Sequence, residues 1–308
     1  AQFIEKVCEK VENTLGHVNA IFVGLPGVKG ANDNFVSFGQ IAREFGDPYL
    51  EVEEYNTHID IVNNAIETLR EKLRIKNIQF YMDNDMVPWA YAIAEQGYTK
   101  AIAIVAGGGQ GQICIQNGKP SQGNNEGGHQ AYLPLQEKTV AYNPSSPPGS
   151  FESYGLGNPG IIQFALKQSN LEKQIREVFH FKYNDPIEVI HLGNILSGKT
   201  PDGHSDLELK DIDLQQAVKN KIWRVIADVE AEHLLFLYFY SGETSYVFAG
   251  GPVSGTTGDI FLKLLIEALR EKIKNENLEI PTFSISSIET ASPAERAAIA
   301  ALNLYSKN

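Results

Sequence analysis

A chain of 308 residues exceeds what one hydrophobic core usually fills, roughly 250 to 300 residues, so two lobes are expected. Its 26 Lys and Arg against 38 Asp and Glu leave a net charge of -12, which repels phosphate backbones and argues against nucleic acid as a partner. The two cysteines, Cys8 and Cys114, lack the spacing of a disulfide framework or a thiolate zinc site and suit a reducing compartment, with the cytoplasm as the default location.

The opening residues read as an amphipathic helix with Phe3, Ile4, Val7, Val11 and Leu15 on one stripe, and not as a secretory signal. A first residue other than Met suits a trimmed chain. Residues 18–27 then read as a buried strand running into a Pro-Gly turn. Ile59, Val62, Ile66, Leu69 and Leu73 mark the next helix, which Thr57 and Asp60 are expected to start as a capping box. A strand over 77–85 follows, then a helix over 86–97, then a glycine-interrupted strand from Lys100 to Gly118. Alternation of this kind predicts an α/β architecture whose sheet opens onto a crevice at its carboxyl edge. Pro, Ser and Gly over 142–150 mark a loop or lobe boundary. Beyond it come helical segments at 159–178 and 211–235, a strand over 244–251, a helix over 259–273, a short strand over 281–286 and a closing helix over 294–305. The longest apolar run, 233–240, is far short of the ~20 residues that cross a bilayer, so no membrane partner is expected.

Four places carry candidate chemistry, each with a plainer alternative. Asp83, Asn84 and Asp85 end a strand, where α/β folds place ligand-binding groups, or they cap the next helix. Gly107, Gly108, Gly109 and Gly111 either bring backbone N–H groups onto a phosphate or form a simple hairpin. Glu126 and His129 flank Gly127 and Gly128, which is either a clamp or an ordinary glycine turn. Gly250 and Gly251 close a strand before a helix, and they either border an adenosine or make a tight turn. Loop and helix cap are the simpler readings of 201–206 and 57–60, so no protein-held metal is expected.

Taken in order, an Asn-Asp pair after a strand, a glycine-rich turn, Glu-Gly-Gly-His and a late Gly-Gly resemble the bacterial-type glucokinases. More distantly they resemble the kinases of the repressor, open reading frame and kinase family. The absence of a Cys cluster after His129 points to the zinc-free branch. The resemblance covers nearly the whole chain. It implies the two-lobed actin-like fold with ribonuclease-H-like sheets, a smaller amino-terminal lobe over 1–98 and a larger one over 99–308. It implies glucose as substrate, ATP with Mg2+ as cosubstrate, Asp85 as the base, and Asn84, Glu126, His129 and Glu152 as sugar ligands. Gly107, Gly108, Gly109 and Gly111 would hold phosphate, Gly250 and Gly251 would border adenine, and a homo-oligomer or larger assembly is compatible with it.

The chemistry suits that assignment, since a carboxylate accepts two sugar hydroxyls at once and an imidazole donates or accepts. Two departures qualify it. The family's amino-terminal Asp-x-Gly-x-Thr hairpin is absent from these residues, so the first strands of that lobe are expected to be missing. Gly108 stands where the second phosphate loop usually carries Thr. The expectation is therefore a glucose 6-phosphotransferase whose 308-residue chain binds sugar without turning it over, or else a catalytically silent glucokinase-derived sugar-binding or structural subunit.

Overall fold

The computed structural model describes residues 6, 10, 13–14, 16–25, 28–29, 34–37, 52–107, 110–121, 159–179, 187–198, 212–288 and 292–306. The chain divides into two compact units. One comprises Ala1–Thr99, Ile115–Asn125 and Ala291–Asn308, and the other Lys100–Cys114 and Glu126–Thr290.

In the first unit, β1 (Ala20–Leu25) and β4 (Gln79–Asn84) pair in parallel from Ala20 opposite Gln79 to Leu25 opposite Asn84. Parallel neighbours need a long crossover. It contains the short antiparallel pair β2 (Val28–Lys29) and β3 (Phe35–Ser37) and then α1 (Val52–Ile75). The helical stripe read from the sequence is the buried one. Ile59 and Ile66 pack with Phe35 and Met82, while Leu69 and Leu73 pack with Ile78. Asn63, on the same helix, grips β3 through both ends of its amide, accepting from Phe35 N at 3.0 Å and donating to Phe35 O at 2.9 Å. The expected capping box is corrected here. The helix starts at Val52, so Thr57 and Asp60 lie inside it and cap nothing.

Next, α2 (Met86–Glu95) is buried on nearly every side, with Met86, Val87, Pro88, Ala90, Tyr91, Ala92 and Ile93 all inside. Its Pro88 is tolerated because the first turn has no intrahelical N–H bonds to lose. The closing helix α9 (Pro293–Tyr305) packs on α2 and β1. Its start is fixed by a Ser292–Glu295 capping box, in which the Ser292 hydroxyl accepts from Glu295 N at 3.2 Å. Arg296 then lies 3.6 Å over the Trp89 ring, and Asn303 donates to Glu95 at 3.0 Å.

The five-stranded sheet runs β7-β6-β5-β8-β9. Its strands are β5 (Lys100–Ala106), β6 (Gln110–Gln116), β7 (Lys119–Pro120), β8 (Ser245–Gly250) and β9 (Ser284–Ser287). β5 and β8 are parallel, as are β8 and β9, whereas β6 and β7 are antiparallel. Residues 107–109 are too few for a crossover, so β5 and β6 form a hairpin.

In the second unit the sheet core is covered by α3 (Pro159–Ser169), α4 (Glu172–Phe179), α5 (Val189–Leu196), α6 (Ile212–Ala217), α7 (Arg224–Ser241) and α8 (Gly255–Asn275). The helical segment expected at 159–178 breaks at Asn170, which takes a left-handed φ of 55. The segment from 212 continues through a π-helical turn, Val218–Trp223, directly into α7. That turn buries Trp223 edge-on to Phe261 at 6.1 Å, and Phe261 meets Phe248 of β8 at 6.0 Å. Among the described residues, no helix is long and apolar enough to cross a membrane.

Candidate active site

The carboxyl end of β4 carries the first candidate pair. Asn84 is buried, and its side-chain oxygen accepts from Met86 N at 2.9 Å, so Asn84 satisfies the start of α2. Asp85 sits at the helix's capping position and yet makes no side-chain capping hydrogen bond. Its backbone N–H is held instead, donating to Leu25 O of β1 at 3.1 Å. Of the two readings of this stretch, helix cap or ligand group, the cap is supplied by Asn84.

Asp85 is exposed, but the protein packed beneath it raises its carboxyl above the ordinary 3.8, against a smaller lowering by the amides of Asp85 and Met86. Both statements hold together, because solvent reaches the carboxylate from one side while protein displaces water from the other. A raised pKa moves a carboxylate toward the range in which it takes a proton well.

Two neighbours fell outside the sequence reading. Gly24 of β1 faces the turn, and a Cβ there would stand 3.1 Å from the Asp85 Cα and 3.6 Å from its Cβ. A side chain there would crowd the Asp85 backbone, which would have to give by a few tenths of an ångström. Lys29 of β2 pairs with Asp83 at 3.5 Å, placing a cation beside the acidic stretch. The alternation of β1 signals neither of them.

On the second unit, Gly107 directly follows β5 and is exposed, and Gly111 is half-buried in β6. Gly108 and Gly109 lie outside the described residues, as do the sugar-ligand candidates Glu126, His129 and Glu152. The expected boundary loop at 142–150 and the 201–206 loop do too.

The Gly250–Gly251 pair separates into two different cases. Gly250 pairs with Ala106 across β5 and β8 at φ 112, and a Cβ would stand 1.9 Å from Ala106 O. Packing alone demands glycine there. Gly251 is exposed, with nothing within 4 Å of where its Cβ would be. Ser254 precedes α8 but spends its hydroxyl on Gly250 O at 2.8 Å and does not cap the helix. The open backbone at Gly251 thus leads into a helix start that Ser254 leaves uncapped.

No family model matches the chain, and no curated protein matches it. Solved structures do. A ROK family protein from Streptococcus pneumoniae TIGR4 in complex with sucrose is 13% identical, covering 99% of this chain and 87% of its own, at a TM-score of 0.58. A ROK family glucokinase from Streptomyces griseus in complex with glucose and AMPPNP is 17% identical, covering 100% and 88%, at 0.56. A glucokinase from Balamuthia mandrillaris in complex with glucose is 12% identical, covering 98% and 82%, at 0.53. At these identities the likeness is one of fold. The chain has the α/β, two-lobed actin-like fold that these structures share.

Proposed function

We propose that the protein is an ATP-dependent hexose kinase that transfers the γ-phosphoryl group of ATP to the 6-hydroxyl of glucose. The observation that carries this reading is the division of labour at the end of β4. Asn84 caps α2, while Asp85 keeps a solvent-reachable carboxylate with a raised pKa that makes no capping hydrogen bond. Such a group serves as the base that takes the proton of a sugar hydroxyl. The fold shared with sugar kinases supports the same reaction class.

In this reading Glu126, His129 and Glu152 hold the sugar, and Asn84, whose side-chain oxygen is given to Met86 N, meets it through its amide nitrogen. Their assignment rests on the sequence resemblance. The nucleotide side falls to Gly107, Gly108, Gly109 and Gly111, whose backbone amides suit phosphate, and to Gly251, whose open backbone suits close approach of a flat base. Gly250 keeps the strand end beside it in place. Mg2+, when bound with ATP, supplies charge neutralisation at the phosphates.

A second reading, a catalytically silent sugar-binding or structural subunit, is favoured by one observation. Gly108 lacks the hydroxyl that the family's Thr offers to phosphate. Hexose-dependent ADP release, measured for glucose and a panel of epimers, tests the choice. Release with glucose and Mg-ATP supports the kinase, whereas saturable glucose binding with no ADP from any hexose supports the silent subunit.

A further inference from the structure

At the start of β6 lies a polar cluster that the reaction does not account for. Gln110 of β6 is 3% exposed, and it meets Glu230 and His233 of α7, at 2% and 0%. One carboxylate oxygen of Glu230 lies 3.2 Å from Gln110 Nε2 and 2.9 Å from His233 Nδ1, and those two nitrogens are 3.0 Å apart. With the ring proton on Nδ1, the Glu230 oxygen accepts from both.

Burying three such groups costs more than filling the space with apolar side chains. Sequence context gives a reason for tolerating them. From Gly107 to Gly111 the chain reads Gly-Gly-Gly-Gln-Gly, so Gln110 is the only side chain in the run. Glycine-rich strands specify their register weakly, because no side chain distinguishes one pairing from the next. A hairpin meant to present backbone amides to a phosphate therefore needs one fixed point. The only candidate within it is buried and bonded to a helix.

We infer that Gln110, held by Glu230 and His233, is the positioning residue at the start of β6, fixing the backbone amides of Gln110 and Gly111 for the phosphates of a nucleoside triphosphate. This deepens the kinase reading and rests on it for the identity of the ligand. Gln110→Met keeps the volume and removes the donor amide. Glu230→Gln keeps shape and an acceptor while removing the charge.

The test combines amide hydrogen exchange of the full chain with titrations of glucose and of AMPPNP with Mg2+. Both variants are expected to speed exchange of the peptide covering 106–112 while the rest of the chain keeps its protection. Gln110→Met is expected to weaken AMPPNP binding about tenfold, the cost of losing a preorganised loop, with glucose affinity kept within about twofold. Unchanged exchange at 106–112 in both variants, or acceleration spread evenly over the chain, would overturn the anchor. If the wild type takes up no AMPPNP, the kinase reading fails and the exchange comparison alone decides the anchor. If wild type and Gln110→Met bind AMPPNP equally, the positioning role is wrong and the kinase reading stands.

Discussion

Asp85 and Asn84 are adjacent, and their roles diverge because of where each side chain is spent. Asn84 lies buried and bonded to Met86 N, whereas Asp85 is exposed above packed protein that disfavours its charge. A carboxyl whose folded pKa is raised binds protons more readily folded than unfolded, so its ionisation lowers stability as pH rises through that range. Asp85→Asn is therefore expected to raise the melting temperature at pH 7. The gain is small for an exposed group, and it shrinks to nothing as pH falls below the ordinary carboxylate value of 3.8. A stability gain independent of pH would detach it from the Asp85 charge. At the sugar, Glu126→Gln should weaken glucose binding by about 1.5 to 3 kcal/mol, the range for a hydrogen bond to a charged group. Titration calorimetry giving an unchanged affinity would return Glu126 to an ordinary turn.

The Gly250–Gly251 turn joins β8 to the 3-10 turn before α8, and its two glycines should respond differently to one added methyl. Gly250→Ala drives a Cβ into Ala106 O at 1.9 Å from a φ of 112, so the variant should lose several kcal/mol or fail to fold. Gly251→Ala meets open space and should keep the wild-type melting temperature while weakening AMPPNP binding. If Gly251→Ala binds AMPPNP like the wild type, the open backbone does not border the nucleotide.

Most elements were legible from hydrophobic period. The stripe from Ile59 to Leu73, the strands at β4 and β8, and the apolar α2 all lie where their spacing puts them. Missed features depend on contacts between segments distant in sequence. The start of α1 at Val52 escaped the Thr57 cap signal, and the space for Asp85 is made by Gly24, sixty residues away on the neighbouring strand. Gln110 reads as loop polarity until Glu230 and His233 close on it. The i,i+3 pair Glu230 and His233, set among the buried apolar residues of α7, was the available signal.

Across the whole molecule, a charge of -12 offers ATP no long-range attraction, so the proposed kinase would owe its nucleotide affinity to local backbone donors and a bound Mg2+. That places the demand on fixed geometry, which Gly250 serves by its close approach to Ala106 and Gln110 by its hydrogen bonds to α7. The catalytic claim, in contrast, comes down to one carboxylate. The most direct measurement is the rate of glucose 6-phosphate formation by the protein as its gene encodes it, wild type against Asp85→Ala, with glucose affinity measured on both. The account predicts Mg-ATP-dependent turnover by the wild type. In Asp85→Ala it predicts a fall of about 10²- to 10⁴-fold in kcat, with glucose affinity changed far less. Equal turnover by the two proteins, or none by the wild type despite saturable glucose binding, would contradict it.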